Sequence, residues 1–187
     1  MSLTADELRQ VDEYLQSWWD AVLARVETPL PPVALMQKAA LQHPNGRIKR
    51  HALGLLDHHA NDESTETFRL ALGDPSARVR MSALHGLSCD RCRVGELCTD
   101  DVVPTLIDVL EHDDNPNVRA MSLYPLVALA GRDDRVAPAF ARAAANDPDE
   151  LVRTSAAAAR DGNYRGVRSR KALRRREAKV GVRGLGE

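Results

Sequence analysis

"GDPSARVRMSALHGL", Gly73 to Leu87, decides the fold. It opens with Asp-Pro, a turn signal. A β-branched residue and a base follow at Val79 and Arg80, then Ala83 and Leu84. The pattern recurs as "HPNGRIKRHALGLL" from His43, "HDDNPNVRAMSLYPL" from His112 and "NDPDELVRTSAAAA" from Asn146. Aligned on Ile48, Val79, Val118 and Val152, the copies stand 31, 39 and 34 residues apart. Five positions earlier stand His43, Asp74, Asp113 and Asp147, and one position later Lys49, Arg80, Arg119 and Arg153. Small residues recur four positions on, at Ala52, Ala83, Ser122 and Ala156.

Each copy reads as a turn entering a helix. Asp74 and Asp147 are expected to cap the helix N-terminus, with Pro75 and Pro148 at the first helical position, where a missing N–H costs nothing. Another helical stripe precedes the turn: Val103, Leu106, Ile107 and Leu110 in one case, Val136, Phe140 and Ala144 in another. Pro104 and Pro138 both fall fourteen residues before their anchors. The unit is therefore an antiparallel helix pair. A single pair cannot bury its own apolar face, so neighbours must stack. The expected fold is all-α, an α-solenoid of about four pairs.

Composition agrees. The 187 residues are 43% hydrophobic and 28% charged but only 4% aromatic, with Ala, Leu and Arg abundant, a mixture that favours helix. No apolar run reaches the roughly 18–20 residues a membrane span needs. "MSLTADELRQ" carries acids early and lacks a secretory hydrophobic segment, so a cytoplasmic location is expected, with no membrane partner.

The Asp-Pro…Val-Arg-x-x-Ala pattern at 74–83 and 147–156, with a looser copy at 113–122, resembles the HEAT-repeat family. The likeness is to the short repeats of phycobilisome-lyase type and covers roughly residues 32 to 161. It implies a polar ladder between adjacent repeats, formed here by Asp74, Asp113 and Asp147 with Arg80, Arg119 and Arg153. His43 and Lys49 depart from the pattern, as expected of a first copy with no repeat before it.

Residues 1–31 read as an N-terminal capping helix and linker, 32–162 as the repeats, and 163–187 as a basic tail. "TADELRQVDEYLQSWWDAVLARV" is one helix, opened by a capping box at Thr4 and Glu7, with Leu8, Val11, Leu15, Trp18 and Val22 on one stripe. Its first reading is a cap over the end of the stack. The second is that Trp18 or Trp19 anchors an interface.

All three cysteines fall within ten residues, in "HGLSCDRCRVGELC", His85 to Cys98, where the repeat spacing is longest. His85, Cys89 and Cys92 share a helix face pointing away from the core if the helix extends that far, and Cys98 is a fourth candidate ligand. His-x3-Cys-x2-Cys-x5-Cys suits tetrahedral zinc, and Arg91 and Arg93 would favour thiolates. No second Cys-x-x-Cys closes such a site. Inert loop thiols come first, structural zinc second, and a redox pair third. No other cofactor is expected.

No phosphate loop, nucleophile elbow or His-Glu-x-x-His motif is present. The acid pairs Asp100-Asp101, Asp113-Asp114 and Asp133-Asp134 precede helices, where acids suit the dipole. Residues 165–183 carry nine bases and one acid, while residues 1–164 carry a net charge of −8. Arg168, Arg170, Lys171, Arg174, Arg175 and Arg176 are the candidate nucleic-acid contacts, although no aromatic follows Tyr164 to stack on bases. A lyase or a DNA glycosylase built on such repeats has no assignable catalytic residue here. The expected function is a non-catalytic adaptor that binds a protein along the second helices of the pairs. Nucleic-acid binding through the tail is the alternative.

Overall fold

The computed structural model describes residues 3–58, 62–88 and 102–166. Among these there are nine α-helices and no strand. They divide into two compact units, Met1–Val102 and Val103–Glu187, so the run of repeats expected over 32–162 is described in two parts.

The first unit opens with α1 (Ala5–Ala24), whose Thr4 side chain accepts from the Glu7 N–H while Glu7 returns to the Thr4 N–H. This capping box satisfies two helix-end donors at once. Val11 and Leu15 are buried, but Val22 is exposed, so the apolar stripe leaves the core near its C-terminal end. Trp18 and Trp19 lie edge-on to each other and to His51, each ring 5–6 Å from the next. The helix closes at Arg25, whose left-handed backbone (φ 56°) turns the chain. The Tyr14 hydroxyl then donates to the Pro29 carbonyl at 3.1 Å, fastening the linker along α1.

Two helix pairs follow: α2 (Val33–Gln42) with α3 (Gly46–His58), and α4 (Asp62–Ala71) with α5 (Ala77–Ser88). Within the unit α2 packs on α4 and α3 on α5, so first helices form one layer and second helices another. The anchor Val79 and the small residues Ala52 and Ala83 are fully buried where these layers meet. Small side chains let the helices approach closely, and Phe68 fills the space over Gly86.

The second unit repeats the arrangement. There α6 (Val103–His112) pairs with α7 (Pro116–Leu129), and α8 (Val136–Asn146) with α9 (Glu150–Arg160). Again first packs on first and second on second. Val118, Ser122, Val152 and Ala156 are fully buried, beside Leu106, Leu110 and Phe140. Burying one such Leu or Phe stabilises the fold by about 1.5–3 kcal/mol. Ala143 is buried on α8, with the expected Ala144 only half-buried. Pro104 and Pro138 sit in the first turns of α6 and α8, where no intrahelical N–H is needed. Pro125 lies inside α7, buried, and forgoes one backbone hydrogen bond there.

Candidate functional site

The turn inside each pair is built alike. Oδ1 of Asp74 accepts from the Ser76 N–H, Oδ1 of Asp113 from Asn115 and Oδ1 of Asp147 from Asp149, each at 2.8 Å. The helix N-caps lie two residues further on than the sequence suggested: Asn115 caps α7 and Asp149 caps α9, each accepting from the second helical N–H. Asp147 is instead the C-cap of α8, and Pro148 precedes α9 rather than opening it. Proline disfavours helical backbone in the residue before it, which holds Asp147 extended and delays the helix start. Asp133 makes a comparable turn ahead of α8, with Arg135 lowering its pKa to about 2 through its side-chain and backbone hydrogen bonds.

His43 shows how the first copy departs. Its Nδ1 accepts from the Asn45 N–H at 3.0 Å, replacing the aspartate oxygen, and its backbone (φ −66°, ψ 134°) matches that of Asp147 (φ −62°, ψ 133°). The turn survives, while the carboxylate that would face a preceding base is gone.

The bases reach two ways. Nη1 of Arg80 donates to the Asp74 carbonyl at 2.9 Å, Nη1 of Arg119 to the Asp113 carbonyl at 2.7 Å, and Nη1 of Arg153 to the Asp147 carbonyl at 2.7 Å. This arm ties each second helix to its own turn. The other arm crosses to the next pair. Arg119 donates from Nε and Nη2 to both oxygens of Asp147, and Asp147 raises the guanidinium pKa. In the first unit Lys49 Nζ donates to Asp74 Oδ2 at 2.6 Å. Lys49 thus occupies a rung, although its departure from Arg suggested otherwise; an ammonium on a long stem reaches one acceptor where the guanidinium fork reaches three.

His85 is exposed on α5, facing away from buried Leu84 and Leu87. Its Nε2 lies 3.4 Å from Oδ2 of Asp57, a buried carboxylate near the end of α3. Sequence reasoning passed over Asp57, yet it stands four residues after Leu53 on a buried stripe, an acid where a core residue belongs. Cys89, Cys92, Cys98 and Asp100-Asp101 lie outside the described residues, as do Arg168, Arg170, Lys171, Arg174, Arg175 and Arg176. Among the described residues no three His, Cys, Asp or Glu side chains converge as a metal site, and no helix is long and apolar enough to cross a membrane.

Large exposed apolar side chains are concentrated in one stretch of the chain. Trp19 is 47% exposed, Leu23 77% and Leu30 80%, with Val22 and Val26 beside them in sequence. In the second unit Tyr124 is exposed on α7, and burial, reinforced by Tyr124, pushes the Tyr164 phenol up to about 12.

No curated protein and no solved structure matches the chain. The family model for HEAT repeats matches residues 92–160, which take in both helix pairs of the second unit. The same turn, with its Asp or His acceptor and its base one residue past the anchor, recurs at 43–49 and 74–80. Paired helices and stacked layers agree with the likeness to HEAT repeats over the residues matched.

Proposed function

We propose that this chain is a non-catalytic adaptor that binds a protein partner through the end of α1 and the linker after it. Stacked helical repeats commonly present surfaces that hold other proteins. One observation carries the location. Trp19, Val22, Leu23, Val26 and Leu30 are five of the seven large hydrophobic side chains most exposed among the described residues. Apolar side chains concentrated in this way mark interaction sites, and tryptophan is enriched among the residues that dominate binding.

Charge indicates the partner's chemistry. From Thr4 to Leu30 the sequence holds Asp6, Glu7, Asp12, Glu13, Asp20 and Glu27 against Arg9 and Arg25. A segment presenting apolar side chains flanked by bases is complementary, as a basic amphipathic helix is. The second helices offer less in the first unit, where Arg50, Gly54, Arg78 and His85 face outward.

The test uses two model helical peptides with the same leucines, one bearing lysines and the other glutamates, titrated into the full chain and followed by tryptophan fluorescence. The lysine peptide is expected to bind saturably and to weaken with salt, while the glutamate peptide does not bind. Trp19→Ala with Leu23→Ser should weaken binding by about tenfold or more, as loss of a hot spot does, with the thermal midpoint unchanged. Equal binding of both peptides, or no effect of the double variant, would overturn the proposal.

A further inference from the structure

Trp19 is braced by two other rings. The Trp18 ring stands 5.1 Å from it at 81°, and the His51 ring 5.6 Å from it at 74°. Neither lies parallel on the indole, and 47% of Trp19 stays exposed. Burial holds His51 below its usual 6.5, so near neutral pH it places no charge against the indole. The indole is held by neutral neighbours yet open to solvent, and a side chain already held costs little to order on binding.

The helix face around Trp19 is acidic. At about 100° per residue, Asp12, Gln16, Trp19, Asp20 and Leu23 share about 100° of the surface of α1, and all five are exposed. Arg9 pairs with Asp6 and Glu13, and Lys38 with Glu7. Asp12 and Asp20 have no such base among the described residues. The Gln16 amide donates to Oδ1 of Asp20 at 2.9 Å, which steadies that carboxylate without neutralising it. An indole and an unneutralised carboxylate thus stand on consecutive residues, with Leu23 one turn further on.

The two common side-chain cations satisfy such a face differently. An arginine guanidinium is planar and weakly hydrated, so it lies flat on an aromatic ring while its edge bonds a carboxylate. A lysine ammonium is compact and strongly hydrated, and meets ring or carboxylate as a point charge. We infer that Trp19 and Asp20 make this surface selective for arginine over lysine: the partner's guanidinium stacks on the Trp19 indole and bonds the Asp20 carboxylate. An apolar side chain of the partner then meets Leu23. This rests on the adaptor reading above and names the side chain that the partner brings to it.

The experiment titrates the full chain with two model helical peptides of identical leucines, one carrying arginines and the other lysines. Both should bind, the arginine peptide about threefold or more tighter. The arginine side-chain proton resonances should move upfield, in the ring current of the indole. Trp19→Leu keeps an apolar side chain, so both peptides should still bind, now with equal affinity and without that shift. Trp19→Phe, which keeps a ring face, should retain part of the preference, and Asp20→Asn should narrow it. Circular dichroism checks that each variant folds. Equal affinities in the parent, or an arginine preference that survives Trp19→Leu, would sink the inference and leave the adaptor reading standing. If neither peptide binds the parent, the adaptor reading fails and the inference falls with it.

Discussion

Arg119 grips Asp147 across the boundary between two repeats, Nε to Oδ2 at 2.8 Å and Nη2 to Oδ1 at 2.9 Å. Its remaining arm holds the Asp113 carbonyl, and both side chains are more than nine-tenths buried. Removing one partner of a buried ion pair strands the other. Arg119→Ala is therefore expected to cost about 3–5 kcal/mol. Arg119→Lys should cost less, because Lys49 shows that an ammonium can reach the equivalent aspartate. Urea unfolding of the three proteins measures this, and an unchanged midpoint for Arg119→Ala would show that the rung contributes nothing.

Two glycines on second helices should respond to alanine with opposite signs. A Cβ on Gly86 would stand 2.3 Å from Cε1 of Phe68, whose ring is fully buried and cannot withdraw. Gly86→Ala is expected to destabilise the fold by about 1–3 kcal/mol, the usual cost of overpacking. Gly54 on α3 has nothing within 4 Å of that position. Gly54→Ala should stabilise by up to about 1 kcal/mol, through helix propensity and a less flexible unfolded chain. Thermal melts of both variants settle the signs.

Burial holds His51, edge-on to Trp18 and Trp19, below the ordinary histidine value of 6.5. The unfolded chain therefore takes up the proton first. The contribution is fully present above pH 6.5 and is lost as pH falls below that value through the lower value of the folded state. Urea midpoints followed by tryptophan fluorescence should fall between pH 8 and pH 5.5. They should fall less in His51→Phe, and identical slopes for the two proteins would contradict this account.

Glu7 works in the opposite chemical sense but with the same sign. The Lys38 ammonium, together with the Thr4 N–H, draws its pKa down to about 2 from 4.5. This contribution is present above pH 4.5 and fades as pH falls toward 2. Acid should loosen α1 from α2 in the parent, reported by Trp18 and Trp19, and Glu7→Gln should show a flatter acid response.

The sequence alone determined the helix pairs and their stacking. Proline, a turn acceptor, a β-branched anchor and a small residue recur at fixed offsets, and those offsets are local geometry. A helix repeats every 3.6 residues, so Val79, Ala83 and Leu84 reach the core wherever that helix is packed. The aspartates of the turn were legible for the same reason. Their role was displaced by two residues, because only the backbone decides where an extended residue before proline hands over to the helix.

Tertiary structure decided what lies between pairs. Whether Lys49 forms a rung depends on how near the next turn comes, and no spacing along the chain encodes that distance. Trp18 and Val22 share a stripe with Val11 and Leu15, yet the helix runs past the surface it packs on, and Val22 is left exposed with Trp19, Leu23, Val26 and Leu30. Asp57 and His85 are 28 residues apart in sequence and meet only because α3 and α5 are stacked. Periodicity fixes which face of a helix is apolar, whereas the neighbour that covers that face, and how far along it, follows from three-dimensional packing.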